Sequence, residues 1–128
     1  MTEIEELLRL GKSALDELVT PISEAELLAV ETSLPFQLPA SYREFVALGG
    51  LRELRINHRV LSPSEIREAL QHVDQCLYLP FADNGCGDLY CWRKSTEAEP
   101  PVFFADHESS EYVRDTGSFT EWLRKNRF

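Results

Sequence analysis

The chain has 128 residues, 43% hydrophobic and 27% charged, with 22 acidic against 13 basic side chains for a formal net charge of −9. Composition of this kind excludes a disordered or fibrous chain, and the length suits one domain, residues 1–128, whose core needs no disulfide or metal staple. The charge excludes nucleic acid and anionic membrane surfaces as natural partners, because both are bound through cations, and it favours basic proteins.

Thr2 and Glu5 read as a capping box for a first helix, whose apolar set Ile4, Leu7, Leu8, Leu15 and Leu18 follows helical spacing. The same acidic opening, Met1 to Glu6, lacks the basic and then apolar character of a secretory leader. Thr20-Pro21 breaks this helix, so residues 1–20 form an extra N-terminal helix. Ser23 with Glu26 caps a second helix running to about Ser33, with Ile22 and Leu27 placed as a hydrophobic staple across the cap. A short third helix follows, with Pro39 in its first turn, Tyr42, Phe45 and Leu48 on one face, and Gly49 at a left-handed stop.

Over residues 53–60 the period changes to two. Leu54, Ile56, His58 and Val60 alternate with Arg55, Asn57 and Arg59, as in a half-buried strand. Ser62-Pro63-Ser64-Glu65 opens another capped helix carrying Ile66, Ala69, Leu70 and Val73 on one face. Residues 77–82 and 88–93 are β-rich runs joined by Asp83-Asn84-Gly85-Cys86-Gly87, turn chemistry tolerant of positive φ. A polar loop over 94–101 precedes the apolar run Val102-Phe103-Phe104-Ala105, which reads as a buried strand, and residues 111–114 read as a further short strand. Ser118 with Glu121 caps a last helix that buries Phe119, Trp122 and Leu123 and ends on Arg124, Lys125 and Arg127, cations suited to the helix dipole. Helices, then a run of strands, then a helix predict an α+β fold. No apolar run approaches the roughly 18 residues of a membrane span, and three cysteines are an odd number for a disulfide framework, so the expected location is cytoplasmic.

The string Leu38-Pro39-Ala40-Ser41-Tyr42-Arg43-Glu44-Phe45, followed by Gly49-Gly50, resembles the opening of the SMI1/KNR4 domain of the SUKH superfamily. Leu61-Ser62-Pro63-Ser64-Glu65-Ile66 is similar to the family's strand-to-helix step, and Leu79-Pro80-Phe81-Ala82-Asp83-Asn84-Gly85-Cys86-Gly87-Asp88 to its hairpin signature. Pro101-Val102 and Ser118-Phe119-Thr120-Glu121-Trp122-Leu123 resemble its closing strand and helix, so the likeness spans about residues 22–123. The resemblance implies a single, mostly antiparallel, twisted sheet packed by N-terminal helices and a C-terminal helix, with no catalytic apparatus and no cofactor. It implies that Pro39, Tyr42, Phe45, Gly49, Gly50, Pro80, Phe81, Gly85, Gly87 and Trp122 serve the fold. Bacterial members of the family are mostly immunity proteins that neutralise toxins, many of them nucleases, whereas fungal relatives regulate cell-wall synthesis through protein contacts. The expected function is therefore non-catalytic binding of a cognate toxin by a monomer or homodimer. A regulatory scaffold domain with a cellular partner is the alternative.

Candidate chemistry is sparse. His72 and Cys76, four apart, could meet Cys86 and Cys91 across a hairpin as a zinc site, but the cysteine spacing is not that of a zinc knuckle, and buried thiols often only fill space. Asp83, Asn84 and Asp88 offer hard oxygens, yet the position that should close a calcium loop is Lys94 and the turn itself explains them. No metal is expected at either place. Asp106-His107-Glu108 is the one compact acid–base cluster and supports a small metal-dependent hydrolase only as a remote alternative, since no nucleophile elbow or zincin motif accompanies it. His58 lies on the apolar face of its strand, as a core histidine would. The expected partner-binding residues are the loop acids Asp83, Asp88, Asp106, Glu108 and Glu111. Tyr90 and Trp92 join them as rigid anchors if their shared strand face is open, and are core if helices cover it.

Overall fold

Helix starts are fixed by side chains that stand in for missing backbone partners. In a computed structural model that describes residues 2–11, 21–51 and 59–126, the helices α1 (Glu3–Gly11), α2 (Glu24–Glu31), α4 (Pro63–Ala69) and α5 (Phe119–Asn126) each begin at an expected cap. Thr2 Oγ1 accepts the Glu5 N–H at 3.2 Å, Ser23 Oγ that of Glu26 at 3.2 Å, and Ser118 Oγ that of Glu121 at 3.1 Å. At Ser62 the box closes reciprocally, with the Glu65 carboxylate accepting the Ser62 N–H at 2.9 Å. At Ser118 the Glu121 carboxylate reaches one residue further back, to the Gly117 N–H at 2.7 Å.

Helix α3 (Ala40–Ala47) departs from expectation at its start and ends at the expected left-handed Gly49. Pro39 precedes the helix as its N-cap, where its carbonyl accepts the Arg43 N–H at 3.1 Å but its side chain offers no acceptor. The cap comes instead from Glu99, in the loop after the third strand, whose carboxylate accepts the Ser41 N–H at 3.1 Å and the Ser41 hydroxyl. The C-terminus is a Schellman motif: Gly49 adopts φ 80°, its N–H reaches Val46 O at 3.2 Å, and the Gly50 N–H reaches Phe45 O at 2.8 Å. A Cβ on Gly50 would lie 2.6 Å from the Phe45 ring and 2.7 Å from its carbonyl oxygen, so only glycine fits there. Leu48, expected on the apolar face, is 44% exposed, because the helix has already ended at that residue.

Five strands, β1 (Arg59–Val60), β2 (Tyr78–Asp83), β3 (Leu89–Arg93), β4 (Val102–Ala105) and β5 (Tyr112–Thr116), form one antiparallel sheet in chain order. The fold is α+β. Of the strand expected over 53–60, Arg59 and Val60 are observed, while Leu54, Ile56 and His58 lie outside the described residues, as do Leu15 and Leu18. Proline is unusual in an interior strand because it cannot donate to the ladder. Pro80 is accommodated by a register shift between Pro80 and Ala82.

One face of the sheet carries the helices. Leu79, Phe81, Trp92 and Val102 are fully buried there against Tyr42, Phe45, Ile66, Phe119 and Trp122. Phe81 stacks on Trp92 at 4.5 Å, and Tyr42 meets Trp92 edge-on at 5.2 Å. Trp92 is therefore core, which corrects its expected place among partner-binding anchors. Of the apolar run in β4, Val102 alone is fully buried: Phe103 faces the other side, against Tyr78, and Phe104, against Tyr90, is only partly covered. The opposite, uncovered face carries Tyr78, Phe103 and Tyr112. Tyr78 stacks on Tyr112 with ring centroids 3.8 Å apart, and the Arg93 guanidinium lies over Tyr78 and Phe103.

Candidate functional site: an acidic groove at one end of the sheet

Because β3 and β4 are antiparallel neighbours with Leu89 opposite Ala105, the β2–β3 turn and the β4–β5 loop emerge side by side. Each is shaped by its own acids and amides. Asp83 Oδ1 accepts the Gly85 N–H at 3.0 Å, and Asn84 Oδ1 accepts those of Cys86 and Asp88 at 2.9 and 3.3 Å. Gly85 and Gly87 take φ 78° and 95°, the left-handed conformations the turn requires. Asp83 Oδ1 and Asn84 Oδ1, two of the oxygens that might have suggested calcium, are thus engaged in the turn. In the second loop Asp106 Oδ1 accepts the Glu108 N–H at 2.8 Å.

A clasp joins the two loops. Asp88 Oδ1 accepts the His107 backbone N–H at 3.1 Å and lies 2.6 Å from His107 Nδ1, while Asn84 Nδ2 donates to Asp88 Oδ2 at 2.9 Å. The His107 ring, then Asn84 and the His107 N–H, hold the Asp88 carboxyl down to about 2. The His107 imidazole is raised in turn, chiefly by its bond to Asp88.

Beneath this clasp lies a cavity of about 640 Å³ whose lining includes His72, Asp83, Leu89, Asp106, Glu111 and Tyr112. A second cavity of about 250 Å³ shares His72, Asp83 and Leu89 with it and continues past Glu65 and Glu68 on α4. Together they make a groove with carboxylate walls and an apolar floor. Arg59 lies along it, paired with Glu65 and, at 3.0 Å, with Asp83.

Of the expected acids, Asp83, Asp106 and Glu111 line the cavity. Asp88 and Glu108 flank it through His107, with Glu108 Oε1 4.0 Å from Nε2. Tyr90 is not with them: it is half-buried on the helix-covered face, against Trp122 and Phe104. Two lining residues, His72 and Tyr112, were not singled out as partner-binding by sequence. They are brought to the groove by a long-range bond, the Asp74 N–H donating to the Tyr112 hydroxyl at 2.9 Å.

His72, Cys76, Cys86 and Cys91 do not converge. Among the described residues, the metal-competent trio is Asp88, Asp106 and His107. Cys76 and Cys86 are exposed, whereas Cys91 is buried in the sheet and its thiol is pushed up to about 12 by desolvation. Alkylation with iodoacetamide at neutral pH is therefore expected to label two thiols in the folded protein and a third only after unfolding. Mass spectrometry of the labelled peptides checks this, and rapid labelling of Cys91 in the native state would contradict its burial.

Among the described residues no helix is long and apolar enough to cross a membrane. A search among curated proteins returns no match. The family model described as SMI1 / KNR4 family (SUKH-1) matches residues 21–125, from just before the first described cap of α2 into α5. With most of its length matched, and with the helix-flanked antiparallel sheet in place, the chain belongs to the SMI1/KNR4 family (SUKH-1).

Proposed function

We propose that this protein is a non-catalytic immunity protein that binds a cognate bacterial toxin, a basic nuclease, and blocks its active site. The family includes immunity proteins and supports a protein partner at the coarse level. The observation that carries the finer reading is the groove, where Asp83, Asp106 and Glu111 meet on one surface with Asp88 and Glu108 at its rim. A nuclease concentrates cations where it grips phosphate, so a carboxylate-walled groove is the complementary shape and charge. Tyr112 and Leu89 on the apolar floor offer the buried contact from which affinity comes, while the acids contribute encounter rate and partner choice. The groove belongs to a cytoplasmic protein on this reading, since a nuclease toxin acts there.

The test is affinity capture of the tagged protein from its native cells at low and at raised salt, with retained proteins identified by mass spectrometry. The expected result is one stoichiometric basic nuclease domain, held less tightly as salt rises, whose nuclease activity falls when the two proteins are mixed. Retention of a cellular protein with no toxic activity would replace this reading with the regulatory scaffold.

A further inference from the structure

We propose that Asp88, Asp106 and His107 form a binding site for a divalent transition-metal cation of the zinc class, independently of which protein the groove accepts. Asp88 comes from the β2–β3 turn and the other two from the β4–β5 loop, so the set is assembled by the sheet and is not visible as a sequence motif. One ligand atom from each lies within 4.8 Å of the other two. Bonds of about 2.0–2.2 Å to a tetrahedral ion place ligand atoms a little over 3 Å apart, so Asp88 Oδ1 and His107 Nδ1, which lie 2.6 Å apart, would spread slightly while Asp106 closes on them. Two carboxylates and an imidazole, with no thiolate, suit zinc or manganese, and they fall short of the six to eight oxygens calcium seeks.

The imidazole is seated where a metal ligand would need it. Its ring occupies a niche against Gly87, where a Cβ would come within 3.3 Å of Nδ1 and 3.4 Å of Cε1. With Nδ1 on the metal, the Nε2–H points toward Glu108, 4.0 Å away. At that distance Glu108 makes no hydrogen bond, and it would have to close on Nε2 to serve as the outer carboxylate that fixes a ligating tautomer. Asp88 Oδ2 is held by Asn84 and Asp106 Oδ1 by the Glu108 N–H, while Asp88 Oδ1 accepts the His107 N–H and faces Nδ1. The cation would take the place of the proton shared by Asp88 Oδ1 and His107 Nδ1, with Asp106 Oδ2 as its third ligand. The remaining coordination positions open toward the groove, where water or a partner's side chain completes the sphere. A bound ion would tie the two loops together at the mouth of the cavity.

The experiment titrates zinc into chelator-treated protein carrying Cys76→Ser and Cys86→Ser, which removes the exposed thiols as competing ligands. Calorimetry is expected to give one zinc per chain, with a melting temperature that rises with zinc because the ion binds the folded state. His107→Ala and Asp106→Asn, each verified as folded by circular dichroism, are expected to weaken binding by more than the roughly 10–100-fold that loss of an outer-shell partner costs. Long-range proton–nitrogen NMR is expected to show the His107 Nδ1 resonance shifting on zinc addition. No heat and no thermal shift at millimolar zinc would overturn the proposal. Zinc binding that survives both substitutions would overturn it equally, by placing the ion elsewhere.

Discussion

Phe119→Ala is expected to be the most destabilising single truncation in this chain. Phe119 is fully buried at the start of α5 and meets five other rings: Tyr42, Phe45, Phe81, Trp92 and Trp122, with centroids between 5.3 and 6.2 Å away. These rings come from α3, β2, β3 and α5, so no single element can move inward to fill the space left behind. Truncation of a buried phenylalanine costs about 3–5 kcal/mol, and a poorly collapsible site sits at the upper end of that range. Domains are stable by only about 5–15 kcal/mol, so the variant should lose from about a third of its stability to all of it. Urea denaturation followed by tryptophan fluorescence measures it, with a lower midpoint at unchanged slope as the signature. Val113→Ala, at a side chain 56% exposed on β5, is the contrast and should change stability by no more than about 0.5 kcal/mol. Equal losses for the two variants would contradict the aromatic cluster as the centre of the core.

Reversing the groove's charge should have the largest effect on binding. Asp106→Lys combined with Glu111→Lys places two cations where a basic partner would meet two carboxylates. Like charges brought together across an interface cost several kcal/mol, and each 1.4 kcal/mol is about tenfold, so affinity for the captured toxin should fall on the order of a hundredfold. Most of the loss at low salt should be in the association rate, and raised salt should narrow the gap as screening shortens the reach of the charges. Asp83 is left in place because it also holds Arg59 and the Gly85 N–H. Glu6→Lys with Glu97→Lys, two exposed positions away from the groove, makes the same change in net charge and should leave affinity nearly intact. Surface plasmon resonance at two salt concentrations separates these outcomes. If the control pair weakens binding as much as the groove pair, the overall charge and not the groove carries recognition.

What the sequence made legible was what short-range hydrogen bonding decides. The caps at Thr2, Ser23, Ser62 and Ser118 need only a hydroxyl and an N–H three residues on, and all four appear. The glycine-bearing hairpin was readable for the same reason, since Asp83 and Asn84 shape it from within. Alternation placed Tyr90 and Trp92 on one face of β3 correctly, but which face the helices cover is a tertiary fact, and Trp92 proved to be core. The acids of the groove were chosen from loops one at a time. Their convergence depends on β3 and β4 pairing so that two turns share one end of the sheet. Tyr112 was beyond reach because the bond that draws it to Asp74 spans 38 positions in the chain. The Glu99 cap on α3 was hidden likewise, 58 positions from the serine it serves.

The sheet runs β1 to β5 in the order the chain is made, and this shapes how the protein comes into being. Every strand pairs with the one before it in the chain, and from β2 to β5 the ribbon can zip hairpin by hairpin with little loop entropy to overcome, a topology associated with rapid folding, while α4 intervenes between β1 and β2. The helix that carries Phe119 and Trp122 follows all the strands it covers. During vectorial synthesis, Phe81 and Trp92 therefore sit on a nascent sheet whose lid has not yet been translated, and that interval is when chaperones would find this chain most adhesive.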